Sequence, residues 1–414
     1  MKLSEDLAWR GLIKDKTFAS DSWLDKPGKF YLGVDASADS LTIGNLAVIM
    51  LARRLLDAGW GTVLLAGGAT SLVGDPGGKN EERELKSQEE IASNIEGVKA
   101  QIDKLFSGKP HEMVNNLDWL GEVKFLDFLR DIGKHYSVTE LIQREFVNTR
   151  IGEGGSGLSY AEFSYSLLQG YDFWWLFKNK QVNLQIGASD QWGNMLSGVP
   201  LIRKKENSEV HAMSMPLIIN RDTGVKFGKS EDGAVWLDAD KTSVFKFYQF
   251  WINNTDTEVI DHLKVFTLLS KEEIEGLEVQ QKQDPASRTA QKKLAFEVTK
   301  LVHGEDQAAK QQRVAEVLVG ERGVDELADD EVAILREEMS YQKVQPGSSL
   351  VDVLVQTGLA ASNSEARRLM ESKAIYINGE KTEKAHLETG DFKNGRLMLR
   401  RGKAYKDSAL IEAA

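Results

Sequence analysis

The sequence contains no cysteine. Disulfides and thiolate catalysis are thereby excluded, and a zinc site would have to be built from histidine and carboxylates. Histidine is scarce as well. The six present are scattered without ligand spacing, so no structural metal is expected. No apolar run reaches the ~18 residues that a membrane-crossing helix needs. The opening Met1-Lys2-Leu3-Ser4-Glu5-Asp6 lacks the apolar centre of a signal peptide, so export is not expected. No internal repeat and no low-complexity tract is visible.

What is present is a chain of 414 residues, 41% of them hydrophobic, enough for two or three domains with substantial cores. The net charge of -11 is unevenly placed: from Lys343 onward 12 Lys and Arg face 9 Asp and Glu, net +3, which leaves -14 on the first 342 residues. An acidic body with a basic tail suits local contact with an anionic polymer, although ordinary surface variation would look the same.

Two short segments carry most of the functional signal. Asp39-Ser40-Leu41-Thr42-Ile43-Gly44-Asn45 follows a strand-like run and opens a helix. A helix N-terminus offers unpaired N–H groups and partial positive charge to an anion. Lys226-Phe227-Gly228-Lys229-Ser230 places two lysines and a hydroxyl around a glycine, which suits a mobile loop folding over polyphosphate. Taken alone, the first reads more readily as an ordinary strand–helix unit and the second as a solvated turn. Their pairing with Gly187-Ala188-Ser189-Asp190-Gln191-Trp192-Gly193-Asn194, also between a strand and a helix, suggests three loops at the strand ends of one open sheet, where such folds build a ligand crevice.

Phe30 to Val34 reads as a buried strand, Gly44 to Ala58 as a helix stopping at Gly59, and Thr62 to Ala66 as the next strand, a right-handed βαβ unit. Glu89 to Phe106 is an amphipathic helix. Lys124 to Leu129 and Thr139 to Phe146 read as helices of a mostly helical insert. Glu162 to Phe177 is a long helix with a mixed aromatic and polar face. Val182 to Ile186 is a strand, Asp190 to Arg203 a helix, and Val210 to Ile219 another strand. The fold class expected is α/β. A Rossmann-like parallel-sheet domain with a helical insert spans 1–241, and an α-helical domain 242–325. A polar, acidic linker at 326–345 ends at Pro346-Gly347, and a small α+β domain spans 346–414. That last domain combines helices at Ser349 to Thr357 and Ser364 to Ser372 with strands around Ile375 to Ile377 and Leu397 to Leu399.

These residues resemble the bacterial tyrosyl-tRNA synthetases, class I enzymes, along nearly the full length. The resemblance rests on Tyr31-Leu32-Gly33-Val34-Asp35, Gly67-Gly68-Ala69-Thr70 through Gly74-Asp75-Pro76, Tyr165 through Gln169 to Asp172, Ser189 to Asn194, and the Lys226 segment. It makes the Gly44 loop the HIGH signature and the Lys226 loop the KMSKS signature. It implies ATP-dependent formation of tyrosyl-adenylate and transfer of tyrosine to the 3′ end of tRNA(Tyr), releasing AMP and pyrophosphate. ATP would come with Mg²⁺, and no tightly bound protein metal is implied. Lys226, Lys229 and Ser230 would hold the leaving phosphates, with Lys79 and Arg83 adding charge from a second flexible loop. Thr42 and Asn45 occupy the signature histidine positions.

Tyr31 and Asp172 would bind the phenolic hydroxyl. A site built that way leaves polar groups unpaired when phenylalanine enters, a rule for which tyrosyl-tRNA synthetases are themselves the standard illustration. Asp75, Tyr165 and Gln169 would hold the ammonium. Tyr165, Gln169 and Asp172 stand at i, i+4 and i+7, one face of a helix. Gln191 would serve the substrate carboxyl region, and Gly33, Asp35, Ser37, Gly44, Gly187 and Asp190 the nucleotide. The resemblance also implies a cytoplasmic homodimer, with the insert from Phe125 to Phe146 supplying apolar contact, and no membrane.

Departures from the family pattern bear on rate. Thr42 is shorter than histidine and is expected to miss the γ-phosphate, whereas Asn45 can still donate. Leu32 stands where a small or polar ribose contact is common, and Ala188 replaces a glycine near the ribose. The tail resembles the alpha-L RNA-binding motif, which would make Arg367, Arg368, Lys373, Arg400, Arg401 and Lys403 phosphate contacts for tRNA. Two other readings compete. A catalytically weakened RNA-binding relative would not need Lys226, Lys229, Lys79 and Arg83. A tryptophan enzyme would not need Tyr31 with Asp172.

Overall fold

In the computed structural model, residues 1–75, 86–152, 154–221, 224, 226–230, 233–402 and 407–414 are described, with the side chains of 145, 146, 229 and 230 excepted. The chain divides into two compact units: Met1–Thr242 with Thr255–Pro285, and Ser243–Asn254 with Ala286–Ala414.

The first unit is built on a six-stranded sheet of β1 (Asp15–Lys16), β2 (Lys29–Val34), β3 (Gly61–Ala66), β4 (Glu112–Asn115), β5 (Leu184–Ala188) and β6 (His211–Met215). Their order is β1-β6-β5-β2-β3-β4, and every pairing except β1 with β6 is parallel. Strands covered on both faces read as continuous apolar runs, which is why Phe30-Tyr31-Leu32 and Val63-Leu64-Leu65 are all buried. The chain runs outward from β2 through β3 to β4, then returns to the other side of β2 with β5 and β6. The order therefore reverses between β2 and β5, and the loops leaving their carboxyl ends face a common crevice.

The signature helix Ile43–Asp57 joins β2 to β3. Thr42 is its N-cap. Thr42 donates from its backbone N–H (3.0 Å) and from Oγ1 (2.9 Å) to Asn45 Oδ1. The N-cap N–H and the Thr42 hydroxyl are thus both satisfied locally. The loop before it is fastened by helix Gln88–Leu105: Asn94 Nδ2 donates to Ala36 O (3.0 Å), Leu41 N–H to Gln101 Oε1 (2.8 Å), and Gln101 Nε2 to Ser40 Oγ (2.9 Å). The expected single helix over Asp190 to Arg203 is broken into a 3-10 turn Ser189–Gln191, a short helix Trp192–Met195 and helix Gly198–Glu206. Pro200 explains the restart: it has no N–H to donate and is tolerated only in a first helical turn. The insert helix expected over Thr139 to Phe146 likewise forms two pieces, Val138–Ile142 and Glu145–Ile151.

The second unit joins helices to a five-stranded sheet of β9 (Ser340–Val344), β10 (Ile375–Ile377), β11 (Glu380–Lys381), β12 (Arg396–Arg401) and β13 (Ser408–Ala413), in the order β11-β10-β12-β13-β9. The short pair β7 (Lys229–Ser230) and β8 (Gly233–Ala234) belongs to the first unit. Period-2 alternation splits β12 and β13 between two cores. Leu397, Leu399 and Ile411 face Leu350, Val353, Leu354 and Ile375. Met398 and Leu410 face Val314, Leu318, Val332 and Leu335 from the helices. The segment 326–345, expected as a linker, carries helix Asp329–Glu338 and strand β9, which pairs in parallel with β13 at the end of the chain.

Candidate active site

The crevice at the reversal of strand order is a cavity of about 490 Å³. Its floor comes from the ends of β2 and β5. One wall is the start of the signature helix, another is the helix Tyr160–Lys180, and the rim is formed by Pro216 to Ile218 and Lys226 to Gly228.

At its deep end lies a buried polar chain. Asp172 is only 2% exposed. Trp119 Nε1 donates to its Oδ1 (2.8 Å) and Asn116 Nδ2 to its Oδ2 (3.0 Å). Burial pushes the Asp172 carboxyl up to about 7, against the opposing pull of those two donors. Asn116 continues the chain, donating also to Thr70 Oγ1 (3.1 Å). Thr70 Oγ1 donates to Asp35 Oδ1 (3.0 Å), and the Tyr165 hydroxyl donates to Asp35 Oδ2 (2.8 Å). Tyr31 lies fully buried beside this chain, and burial together with the Asp172 charge holds its phenol in the neutral form. The Tyr31 hydroxyl and Gln185 Oε1 are buried at the cavity with no hydrogen-bond partner among the described residues. Buried polar atoms are nearly always paired. Two orphans lining one cavity mark where a ligand's own polar atoms belong.

Above them, Asp75 accepts from Gln191 Nε2 (2.6 Å) and Asn194 Nδ2 (3.3 Å). At the mouth, Lys226 Nζ lies 2.7 Å from Asp190 Oδ2. Gly228 has φ +101°, and a Cβ there would come within 3.1 Å of Gly44 N, so only glycine lets the two signature loops meet so closely. The cavity thus joins a polar-ended aromatic slot to a helix N-terminus faced by a lysine.

Residues 24–319 match the family described as tRNA synthetases class I (W and Y), and residues 331–406 match the tyrosine–tRNA ligase SYY-like C-terminal domain. The chain belongs to the class I tRNA synthetases. It is 43% identical to the tyrosine–tRNA ligase of Neisseria meningitidis over 92% of this chain and 90% of that one. Against the tyrosine–tRNA ligase of Geobacillus kaustophilus the figures are 42%, 97% and 98%. Among solved structures, the C-terminally truncated mitochondrial tyrosyl-tRNA synthetase of Aspergillus nidulans is similar at 32% identity and a TM-score of 0.67, covering 75% of this chain and 92% of that one.

Around the cavity of this synthetase stand Tyr31, Gly33, Asp35, Ser37, Thr42, Gly44, Asn45, Asp75, Tyr165, Gln169, Asp172, Gly187, Asp190, Gln191 and Lys226. Lys79, Arg83 and Lys403 lie outside the described residues. Lys229 and Ser230 are described only as the backbone of β7. In the second unit, Arg367 and Arg368 are exposed, without a side-chain ion pair among the described residues. Lys373 pairs with Glu383 (2.6 Å) and Arg401 with Asp407 (2.8 Å). Arg400 donates to Leu318 O (2.8 Å) and lies 5.1 Å from the Tyr376 ring.

Sequence reasoning missed Thr70 as a hydrogen-bonding partner, and missed Asn116, Trp119 and Gln185 altogether. Asn194 stood in a quoted motif, with no role attached. Asn116 follows β4 directly, so its place at the carboxyl end of a sheet strand was the available signal. Asn45, whose Oδ1 serves the helix cap, keeps an amide nitrogen with no hydrogen bond among the described residues. No helix is long and apolar enough to cross a membrane among the described residues.

Proposed function

We infer that this enzyme activates L-tyrosine with ATP and transfers it to tRNA(Tyr). The observation that carries the tyrosine reading is the slot closed by buried Asp172 and the unpartnered Tyr31 hydroxyl. A phenol hydroxyl donates to Asp172 and accepts from Tyr31, so both groups are satisfied together. Phenylalanine leaves both unpaired, and an indole does not carry a hydroxyl to that depth. The substrate ammonium binds Asp75, Gln169 and the Tyr165 oxygen, and Gln191 lies beside its carboxylate. ATP enters as its Mg²⁺ complex, the ion carried by the phosphates. Gly33, Gly44 and Gly187 let it approach the backbone, and Asp35, Ser37 and Asp190 line the ribose side.

The tyrosine carboxylate oxygen attacks the α-phosphorus, and the bond to the bridging oxygen breaks with its electrons leaving on pyrophosphate. A carboxylate is already ionised, so no general base is required. The protein orients two reactants and offsets charge on the leaving group. Asn45 donates at the signature helix N-terminus, while Lys226, Lys229, Ser230, Lys79 and Arg83 hold the phosphates. The terminal ribose hydroxyl of tRNA then attacks the adenylate carbonyl and displaces AMP. Tyrosine-dependent ATP–pyrophosphate exchange tests this reading, and equal exchange rates with phenylalanine would overturn it.

The tRNA partner is held by the second unit, its helices toward the anticodon and its alpha-L-like sheet domain on phosphates. Arg367 and Arg368 are exposed there and have no side-chain ion pair among the described residues. Replacing both with Glu should leave exchange unchanged, raise KM for tRNA about tenfold, and flatten its salt dependence by about two units of log–log slope. An unchanged tRNA KM in low salt would remove these residues from the interface.

The enzyme works in the cytoplasm as a homodimer. The support is an apolar face on the insert, where Phe125, Leu126, Leu129, Val138 and Ile142 are 66, 75, 40, 60 and 40% exposed. A patch of such side chains is costly to leave in water and fits a self-complementary contact. Leu126→Glu with Phe125→Glu is expected to convert a sedimenting dimer to a monomer at micromolar concentration. A wild-type monomer there would refute the assignment.

A further inference from the structure

Besides the contacts of Lys226 with Asp190 and of Gly228 with Gly44, the rim is tied to the helix Val259–Phe266. At one end of that helix, Arg221 N–H donates to Glu258 Oε1 (2.7 Å), Arg221 Nη1 donates to Thr257 O (3.3 Å), and its guanidinium also pairs with Asp261. Along its side, the Phe227 ring lies tilted 4.2 Å from the buried His262 ring and 5.8 Å from Phe266, centroid to centroid. Burial pushes His262 down to about 4, so a neutral ring faces Phe227 at neutral pH. Arg221 and Phe227, on either side of Lys226, are therefore both tied to this eight-residue helix and the residues that open it.

A helix of that length is not self-supporting in water, so its placement must come from tertiary contacts. Its C-terminal end supplies them. Two buried arginines converge on Lys264 O in its last turn and on Thr267 O and Leu269 O just beyond it. Arg10, from helix Leu3–Trp9, donates through Nη1 to Lys264 O (2.9 Å) and through Nη2 to Leu269 O (2.7 Å). Arg54 donates through Nη2 to Lys264 O (3.1 Å) and to Thr267 O. Asp6 is the carboxylate beside them, 2.8 Å from Arg10 Nε and 3.9 Å from Arg54 Nη1. Each arginine is 7% exposed. Burying two cations against one carboxylate is unfavourable unless carbonyl dipoles supply the rest, and a helix C-terminus carries partial negative charge. Burial and the neighbouring Arg10 charge both pull the Arg54 guanidinium below its ordinary value.

Arg54 stands in the last turn of the signature helix, whose first turn holds Thr42 and Asn45. One rigid rod therefore reaches the nucleotide loop at its N-terminus and the base of the lysine loop's support at its other end. We propose that Arg54, assisted by Arg10, is a positioning residue for adenylation: it fixes the helix Val259–Phe266 relative to the signature helix and so sets where Lys226 meets the phosphates. This rests on the reading of Lys226 as a phosphate ligand.

The test compares full-length Arg54→Met, Arg54→Lys and Arg10→Met with wild type, counting active sites by titration so that a misfolded fraction does not enter kcat. Arg54→Met should lower kcat for exchange about tenfold and leave tyrosine KM within about twofold. Arg54→Lys, keeping a donor and the charge, should recover part of that loss. Because Arg54 acts through the lysine loop, adding Arg54→Met to Lys226→Ala should cost almost nothing further, whereas independent sites would multiply their effects. Full multiplication, or a normal kcat per active site with only a lowered Tm, overturns the proposal. If Lys226→Ala alone retains wild-type exchange, the phosphate reading itself fails, which is a separate result.

Discussion

Asp172→Ala is expected to lower kcat/KM for tyrosine in pyrophosphate exchange by about 10³-fold. Removing one partner of a buried charge-assisted hydrogen bond costs roughly 3–5 kcal/mol, and each 1.4 kcal/mol is a factor of ten. The loss should fall on tyrosine and spare phenylalanine, whose ring makes no use of the carboxylate, so selectivity between them should narrow by a similar factor. The carboxylate is held by Trp119 and Asn116, so the substitution also strands two buried donors. Asp172→Asn separates the two effects. An amide keeps the volume, but can accept from only one of those donors and turns its own NH₂ against the other. Exchange with tyrosine should therefore remain low in Asp172→Asn even where thermal unfolding shows more of the stability retained than in Asp172→Ala. Tyrosine-dependent exchange at wild-type level in a folded Asp172→Ala protein would remove the carboxylate from substrate recognition.

The tyrosine slot was partly legible because helical periodicity is a local property. Tyr165, Gln169 and Asp172 share one helix face by spacing alone, and all three line the cavity. The groups that orient Asp172 and Asp35 were not legible. Asn116, Trp119 and Thr70 sit 35 to 56 residues away in sequence from the groups they bind in this chain of hydrogen bonds. No spacing rule connects two strand-end loops until the strand order is known. The same reasoning explains the pairing of Asp190 with Lys226, each conspicuous alone, whose meeting depends on β5 and β6 being neighbours.

The second unit shows a different failure. Ser340-Tyr-Gln-Lys-Val344 is short, polar and next to an acidic stretch, so composition argued for a linker. Its partner strand, Ser408–Ala413, is the last element of the chain. A strand whose pairing is that remote carries little local signal, because β-propensity reports the neighbours a residue packs against. The consequence is practical. A cut near Gln345 would strip β12 and β13 from Val314, Leu318 and Leu335, leaving buried apolar side chains in water. Point substitutions at Arg367 and Arg368 therefore test the tail more cleanly than truncation does.

Lys226→Ala is expected to lower kcat for adenylation about 10²-fold while changing KM for ATP much less. A positioned cation acting on developing charge contributes about 3 kcal/mol to a transition state. The ammonium lies 2.7 Å from Asp190 Oδ2 with its side chain 55% exposed, so the pair is weak and easily exchanged for phosphate oxygens. Entering with Mg²⁺, as proposed, ATP would have part of its phosphate charge offset in the ground state, and losing one solvated lysine would cost little binding. As the bond to the α-phosphorus breaks, a further negative charge develops on the bridging oxygen, and the interaction strengthens only then. Interactions of that kind appear in kcat. Lys226→Arg preserves charge but replaces a compact donor with a planar fork, and should restore only part of the rate. Asp190→Asn removes the ion pair without removing the lysine. If the pair merely stored Lys226 between turnovers, that variant should keep its kcat while the alanine variant loses it. A Lys226→Ala enzyme whose only defect is a raised KM for ATP would show that the lysine binds ATP and its transition state equally well.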